Sequence, residues 1–169
     1  MESTIQNAES SLKVGDRITV EIGPIAHGGH FIARHKGQVI FVRYGITGEE
    51  AVVEITSTSS KLARGDAIEI LKASEDRVVP PCKYAVPGGC GGCDFQHIEI
   101  SAQLELKRSV IREQFSRLGR IEIDLDVLPV EPTNGLHWRT RMDFAISKNG
   151  KPGFYSARSK EVTEIDKCL

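Results

Sequence analysis

Apolar and polar residues alternate through the first part of the chain. Ile18, Val20 and Ile22 are apolar, while Arg17, Thr19 and Glu21 are polar. That period of two is what a half-buried strand requires. Gly23-Pro24 closes the strand. Gly28-Gly29-His30-Phe31-Ile32-Ala33-Arg34 is a glycine-rich entry into a second strand, and His35-Lys36-Gly37 forms a turn. The β-branched and aromatic run Gln38–Arg43 predicts a third strand, Ala51–Thr56 a fourth and Asp66–Leu71 a fifth. Five short strands separated by turn signals predict an all-β, OB-like barrel over residues 12–72. Residues 1–11 are polar and aperiodic, and are read as a disordered tail.

The pattern changes after Leu71. Val79-Pro80-Pro81 punctuates the chain, so residues 73–80 are read as a linker and 81–169 as a second, α+β domain. Residues 98–119 predict a helix, with Leu104, Ile111, Phe115 and Leu118 on one stripe and Gly119 as its stop. Trp138–Ile146 alternates again. Lys148-Asn149-Gly150-Lys151 contains the Asn-Gly pair of a hairpin turn, and Gly153–Tyr155 and Glu161–Ile165 supply further strands of a small antiparallel sheet.

Composition narrows the class. The chain has 169 residues, 40% of them hydrophobic and 27% charged, which describes a globular protein. No apolar run reaches the ~18–20 residues of a membrane helix, and the N-terminal residues lack the basic and apolar regions of a secretory signal. The expectation is therefore a cytoplasmic protein with no membrane partner. The net charge of −1 argues against indiscriminate binding of polyanions, so any recognition of nucleic acid has to be local.

The four cysteines change the picture most. Cys82, Cys90, Cys93 and Cys168 are all that the chain has. In a reducing compartment, clustered cysteines bind metal or do redox chemistry more often than they form disulfides. Cys90-Gly91-Gly92-Cys93 lets two thiolates reach one centre from a single turn, and its glycines allow tight bending with backbone N–H groups turned toward sulfur. Four soft sulfur ligands suit tetrahedral zinc or an iron–sulfur cluster, and spacing alone leaves both open.

Around these cysteines the chain resembles a known family. Ser74-Glu-Asp-Arg-Val-Val-Pro-Pro-Cys82, Cys90-Gly-Gly-Cys-Asp-Phe-Gln-His97, Gln103-Leu-Glu-Leu-Lys-Arg108, Arg139-Thr-Arg141, Gly153-Phe-Tyr155 and Ile165-Asp-Lys-Cys168 occur in the order found in RNA uracil-C5 methyltransferases that carry an iron–sulfur cluster. Residues 12–72 resemble the TRAM domain that precedes them. The resemblance implies a [4Fe-4S] cluster held by Cys82, Cys90, Cys93 and Cys168. The seven residues between Cys82 and Cys90 exceed the family's usual five. Trp138-Arg139-Thr140 stands where the family has Tyr-Arg-Asn.

Methyl transfer from S-adenosylmethionine in this family uses a cysteine nucleophile and a general base. All four cysteines here match cluster positions, and no strand–glycine-loop–helix for the cofactor follows. The expectation is that residues 1–169 form the RNA-recognition and cluster-binding N-terminal portion of such an enzyme, inactive alone. S-adenosylmethionine would be needed only in a full-length parent. The alternative is a stand-alone TRAM RNA-binding module with a structural zinc site made by the four cysteines. A radical methylthiotransferase is disfavoured, because its Cys-x3-Cys-x2-Cys motif is missing.

RNA, either rRNA or tRNA, is the expected partner of a monomer. A TRAM or OB-type barrel binds it through a basic, aromatic surface. Arg34, Lys36 and Arg43 are the candidates on the barrel, with Phe31 and Tyr44 as possible aromatic contacts. Phe41 reads as core. Arg139 and Arg141 share one face if 138–146 is a strand. His27 and His30 read as ordinary loop residues. Gln96 and His97 read as supports of the cysteine loop.

Overall fold

Residues 17–72 form one six-stranded sheet in a computed structural model that describes residues 12–59 and 61–169; the segment read as a tail, residues 1–11, lies outside the described residues. The strands are β1 (Arg17–Glu21), β2 (Ile25–Ala26), β3 (His30–His35), β4 (Gln38–Arg43), β5 (Glu50–Thr58) and β6 (Leu62–Lys72). Their order is β1-β5-β6-β4-β3-β2, and every pair is antiparallel except β4–β6. The two edge strands, β1 and β2, are successive parts of one run of chain bent at Gly23-Pro24. Gly23 N–H donates to Ile32 O at 2.8 Å and Ile32 N–H donates to Pro24 O at 3.0 Å. One bent segment thus serves both edges, and the sheet curls on itself into a half-barrel, consistent with an OB-like fold but more open than the closed barrel expected.

The alternation fills the interior. Val20, Ile22, Phe31, Ala33, Ile40, Val42, Ala51, Val53, Ile55, Ala63 and Ala67 all face one buried core. The fifth predicted strand begins earlier than its alternation suggested. Register shifts at Glu50/Ala51, Val52/Val53 and Ile55/Ser57 are bulges that bend β5 and β6 and interrupt the period of two. Three aromatic readings are corrected. Phe31 and Tyr44 are buried and offer RNA no surface. Phe41 stands half-exposed between the buried Ile40 and Val42, so it points outward from the core.

The second half contains α1 (Ile100–Gln114), which widens into a π-helical turn over Phe115–Gly119. Glu99 caps α1 by accepting from Ser101 N–H. The predicted stripe does not form a core. Leu118 is 72% exposed, and no α1 residue is fully buried. Ala102 and Leu106 are the helix residues that pack on the barrel. Of the predicted strand 138–146, only β7 (Ala145–Ile146) pairs. It joins β8 (Pro152–Tyr155) and β9 (Val162–Glu164) in a three-stranded antiparallel sheet. The Asn149-Gly150 turn closes β7–β8 as its sequence predicts, with Ser147 N–H donating to Lys151 O at 2.8 Å. Among the described residues, no helix is long and apolar enough to cross a membrane.

Residues 73–80 are tied to the barrel along their length. Glu49, with 0% of its surface exposed, accepts from Arg77 Nε and Nη2 at 2.6 Å each. It also accepts from the backbone of Ser74 at 3.1 Å and of Ile46 at 2.9 Å. Burial alone would raise the Glu49 pKa, but Arg77 and these N–H groups outweigh it and hold the carboxyl below its ordinary value. A depressed carboxyl stabilises the fold above its unfolded pKa and loses that contribution as pH falls through the folded value. Glu49→Gln is expected to cost about 3–5 kcal/mol near neutral pH by stranding Arg77. Urea unfolding checks this. The gap between parent and variant should shrink as the buffer is taken below the ordinary glutamate value of 4.5.

Candidate functional site

The cysteines sit on a loop whose two stems are pinned together. On the incoming stem, Val78 N–H donates to His97 O at 3.0 Å. On the outgoing stem, Glu99 N–H donates to Asp76 O at 2.8 Å. Within the loop, Ala85 N–H donates to Cys82 O and Cys90 N–H to Tyr84 O, at 3.0 and 2.9 Å. The two glycines between Cys90 and Cys93 do what their sequence suggested. Gly92 N–H donates to Cys90 Sγ at 3.4 Å. Gly91 lets the loop lie against the β8–β9 hairpin, since a Cβ there would meet Tyr155 O and Ala157 N at 2.8 Å. Gly91 N–H donates to that same Tyr155 oxygen at 3.0 Å.

Cys168 reaches the loop through a neighbour that sequence reading passed over. Asp166 accepts from Lys83 Nζ at 2.8 Å and from Tyr84 Oη at 2.7 Å. Lys83 and Tyr84 immediately follow Cys82, so this tie sets the C-terminal cysteine beside the first one. The same contacts, first with Lys83 and then with Tyr84, hold the Asp166 carboxyl down to about 2. All four cysteines are free and half-buried. Burial pushes the thiols of Cys90 and Cys93 up, and the other cysteines raise them further. Cys82 and Cys168 act on Cys90; Cys168, Cys90 and Cys82 act on Cys93.

The residues after Cys93 anchor the loop. Asp94 accepts from Arg43 Nη2 at 2.8 Å. Phe95 packs against the barrel core, and a Cβ on Gly29 would come within 3.2 Å of its ring. Gln96 accepts from Cys82 N–H at 3.1 Å and so ties the loop's outgoing stem to its first cysteine. His97 is buried and donates through Nε2 to Gly45 O at 3.2 Å, so it secures the barrel contact rather than the loop itself.

This donor set fits a sulfur-ligated group. One zinc ion asks its ligands to converge at about 2.3 Å from a single point, whereas an iron–sulfur cluster spreads its thiolates over several irons. Among the described residues, no three His, Cys, Asp or Glu side chains are disposed to hold a single metal ion.

The basic candidates are dispersed. Arg34 is exposed on β3. Lys36 stands at the tip of the β3–β4 hairpin in the left-handed region, with φ 45°. Arg43 is not a free cation: its side chain is 11% exposed and paired with Asp94. Arg139 is exposed and stacks on Trp138 with its guanidinium carbon 5.0 Å from the ring centroid. Arg141 is also exposed, but the two do not share a strand face, because residues 138–144 form no strand. Two helix arginines are engaged, Arg108 with Asp124 at 2.8 Å and Arg117 with Glu113 at 2.9 Å, while Arg112 is exposed and has no ion pair among the described residues.

Residues 11–68 match the TRAM domain. The chain is 43% identical to an uncharacterized RNA methyltransferase of Streptomyces coelicolor, over 92% of this chain and 37% of that protein. It is 32% identical to the 23S rRNA (uracil(1939)-C(5))-methyltransferase of Alcanivorax borkumensis, over 87% of this chain and 34% of that protein. The crystal structure of Pyrococcus abyssi tRNA (uracil-54, C5)-methyltransferase in complex with S-adenosyl-L-homocysteine superposes with a TM-score of 0.55 at 26% identity, covering 88% of this chain and 32% of the other. Residues 11–68 thus form a TRAM domain, and over most of its length the chain is similar to proteins named as RNA methyltransferases, of whose length it spans about a third.

The Asp166 tie predicts how Cys168 behaves. Asp166→Ala should release the C-terminal segment and speed alkylation of Cys168 in the metal-free chain, several-fold over the parent. Mass spectrometry of iodoacetamide-treated protein checks this; Cys93, which Asp166 does not touch, should react at the parent's rate.

Proposed function

We propose that this chain is the RNA-recognition and [4Fe-4S]-binding N-terminal portion of an S-adenosylmethionine-dependent RNA uracil-C5 methyltransferase acting in the cytoplasm. What supports the reading is that Asp166 joins the Cys168 end of the chain to the residues after Cys82, while Cys90 and Cys93 lie on the same closed loop as Cys82. Cys82, Cys90, Cys93 and Cys168 would hold the cluster. A bound cluster would supply a rigid cross-link between the loop and the segment after β9, with a capacity for one-electron chemistry. The chain's own residues seat it: Gly92 offers an N–H to sulfur, Gln96 holds the backbone of Cys82, and Asp94, Phe95 and His97 fasten the loop to the barrel.

The relatives act on a uracil of 23S rRNA and of tRNA by the names they bear, and RNA of one of these kinds is the partner inferred here. Arg34 and Lys36 on the barrel, with Arg139 and Arg141 on the segment before β7, are the proposed backbone contacts. S-adenosylmethionine and the nucleophile belong to the rest of the parent enzyme. No group in this chain is assigned to catalysis.

Anaerobic purification tests the cluster. Iron and sulfide in equal amounts, with broad visible absorption lost in Cys90→Ser or Cys168→Ser, are expected. Stoichiometric zinc without iron would establish the zinc-module alternative instead. For RNA, each of Arg34→Ala, Lys36→Ala, Arg139→Ala and Arg141→Ala should weaken binding to single-stranded RNA. Each should also reduce the slope of log affinity against log salt by about 0.7 for every phosphate that is no longer neutralised. Unchanged affinity and slope would dismiss the residue concerned.

A further inference from the structure

Sequence reading gave His30, Arg64 and Arg158 no function, yet the fold gathers them with Phe41. An open cleft lies between the outer face of the barrel and the β8–β9 turn, lined by His30, Phe41, Arg43, Arg64, Asp66 and Arg158. The Arg64 guanidinium lies over the Phe41 ring, 5.4 Å from its centroid. The His30 ring meets Phe41 edge-on at 6.1 Å. Arg158 Nη2 is 3.2 Å from His30 Nε2, and His30 Nδ1 is 3.0 Å from Gly28 O. A guanidinium only donates and a carbonyl only accepts. His30 is therefore neutral, with its proton on Nδ1, and serves as the acceptor that positions Arg158.

The charges in this cleft do not balance. Arg43 is answered by Asp94. Among the described residues, neither Arg64 nor Arg158 has a carboxylate within salt-bridge distance. Asp66 is the one carboxylate in the lining, and it faces three guanidinium groups. Burial, then the charges of Arg64 and Arg43, lower the pKa of Arg158, so the three cations repel one another. Arg158 is held here with a left-handed backbone, φ 53°. A chain of net charge −1 thus carries a local surplus of positive charge beside an aromatic ring. That combination suits a phosphate attached to a planar base.

We propose that this cleft binds one nucleotide of single-stranded RNA, with Arg64 and Arg158 on its phosphate and the Phe41–Arg64 stack receiving the adjoining base. A single strand is specified because a base already stacked in a duplex cannot lie on a side-chain platform. The proposal rests on the RNA-binding reading above and deepens it. It assigns the second face of the grip to a turn that lies more than eighty residues beyond the last barrel strand in sequence.

The test uses the full chain and a fluorescently labelled oligouridylate, with anisotropy titrations over a series of salt concentrations. Arg64→Ala and Arg158→Ala should each weaken binding at least fivefold and lower the salt slope by about 0.7. Phe41→Leu should cost roughly fivefold or more at an unchanged slope, since it removes stacking and no charge. Lys107→Ala, on the exposed side of α1, deletes an equal charge far from the cleft and should change little. In the parent chain the Nε–H resonances of Arg64 and Arg158 should shift on addition of the oligouridylate, a readout that needs no variant to fold. Inorganic phosphate should shift the same resonances equally in parent and Phe41→Leu. Parent-like affinity in both arginine variants, losses no larger than that of Lys107→Ala, or unmoved arginine resonances while the parent binds would overturn the cleft and leave the RNA reading standing. A parent chain that does not bind the oligouridylate would overturn both. Unchanged affinity in Phe41→Leu would overturn the stacking half.

Discussion

Everything beyond the barrel depends on one buried carboxylate. Glu49 sits in the loop between β4 and β5 with none of its surface in water. Its two oxygens take four donors: Arg77 twice, Ser74 and Ile46. A buried charge with fewer partners would be expensive to keep ionised. Here both lone-pair sets are used, and the second Arg77 nitrogen also donates to Tyr44 O at 2.7 Å. The result is a fixed exit point. The chain leaves the barrel at Arg77 in a set direction, and Ile98 returns to pair with it across an antiparallel bridge.

That exit point makes the cysteine segment a closed loop instead of a linker. Its stems are hydrogen-bonded to each other, and its outgoing stem carries Phe95 and Ile98 into the barrel core. Closing a loop removes conformational entropy before any ligand arrives. Ligation then has less left to order, which is the usual route by which a site gains affinity without more ligands. Only Cys168 comes from elsewhere, and Asp166 brings it in. The loop is thus presented by contacts that do not involve sulfur, from three directions: barrel, hairpin and C-terminal segment.

The barrel was legible because its signal is local. Alternation at Ile18, Val20 and Ile22 or at Ala51, Val53 and Ile55 states which side faces inward, and the turns are written in glycine. What failed there were positions where a bulge breaks the period, as around Leu62–Gly65, and an aromatic, Phe41, whose type suggests core while its parity places it outside. In the second half the helix was legible in extent but not in packing. Its stripe at Leu104, Ile111, Phe115 and Leu118 has no core to meet, because the helix is docked by Ala102 and Leu106 near its start. Residues 138–144 alternate without a partner strand, and a strand exists only if another pairs with it. Of the candidate site, cysteine spacing and the glycines between Cys90 and Cys93 carried the reading. Asp166, Arg64 and Arg158 carried none, since their meaning lies in which distant residues they meet.

Those distant meetings also join the two proposed activities. Asp94 follows Cys93 directly and holds Arg43, and Arg43 lines the cleft with Arg64 and Arg158. The hairpin that receives Gly91 and Cys90 runs straight on through Ala157 to Arg158. The cleft therefore has two of its three guanidinium groups positioned by the cysteine loop, one through an ion pair and one through backbone pairing. Packed interfaces of this kind transmit a shift at one side to the other because close-packed groups have little room to yield. A group bound to the four cysteines would hold Arg158 from the side opposite His30, its hydrogen-bond partner on the barrel. On this arrangement the cysteine centre need not touch RNA to matter for holding it: it would act as the joint that keeps Arg158 opposite Phe41.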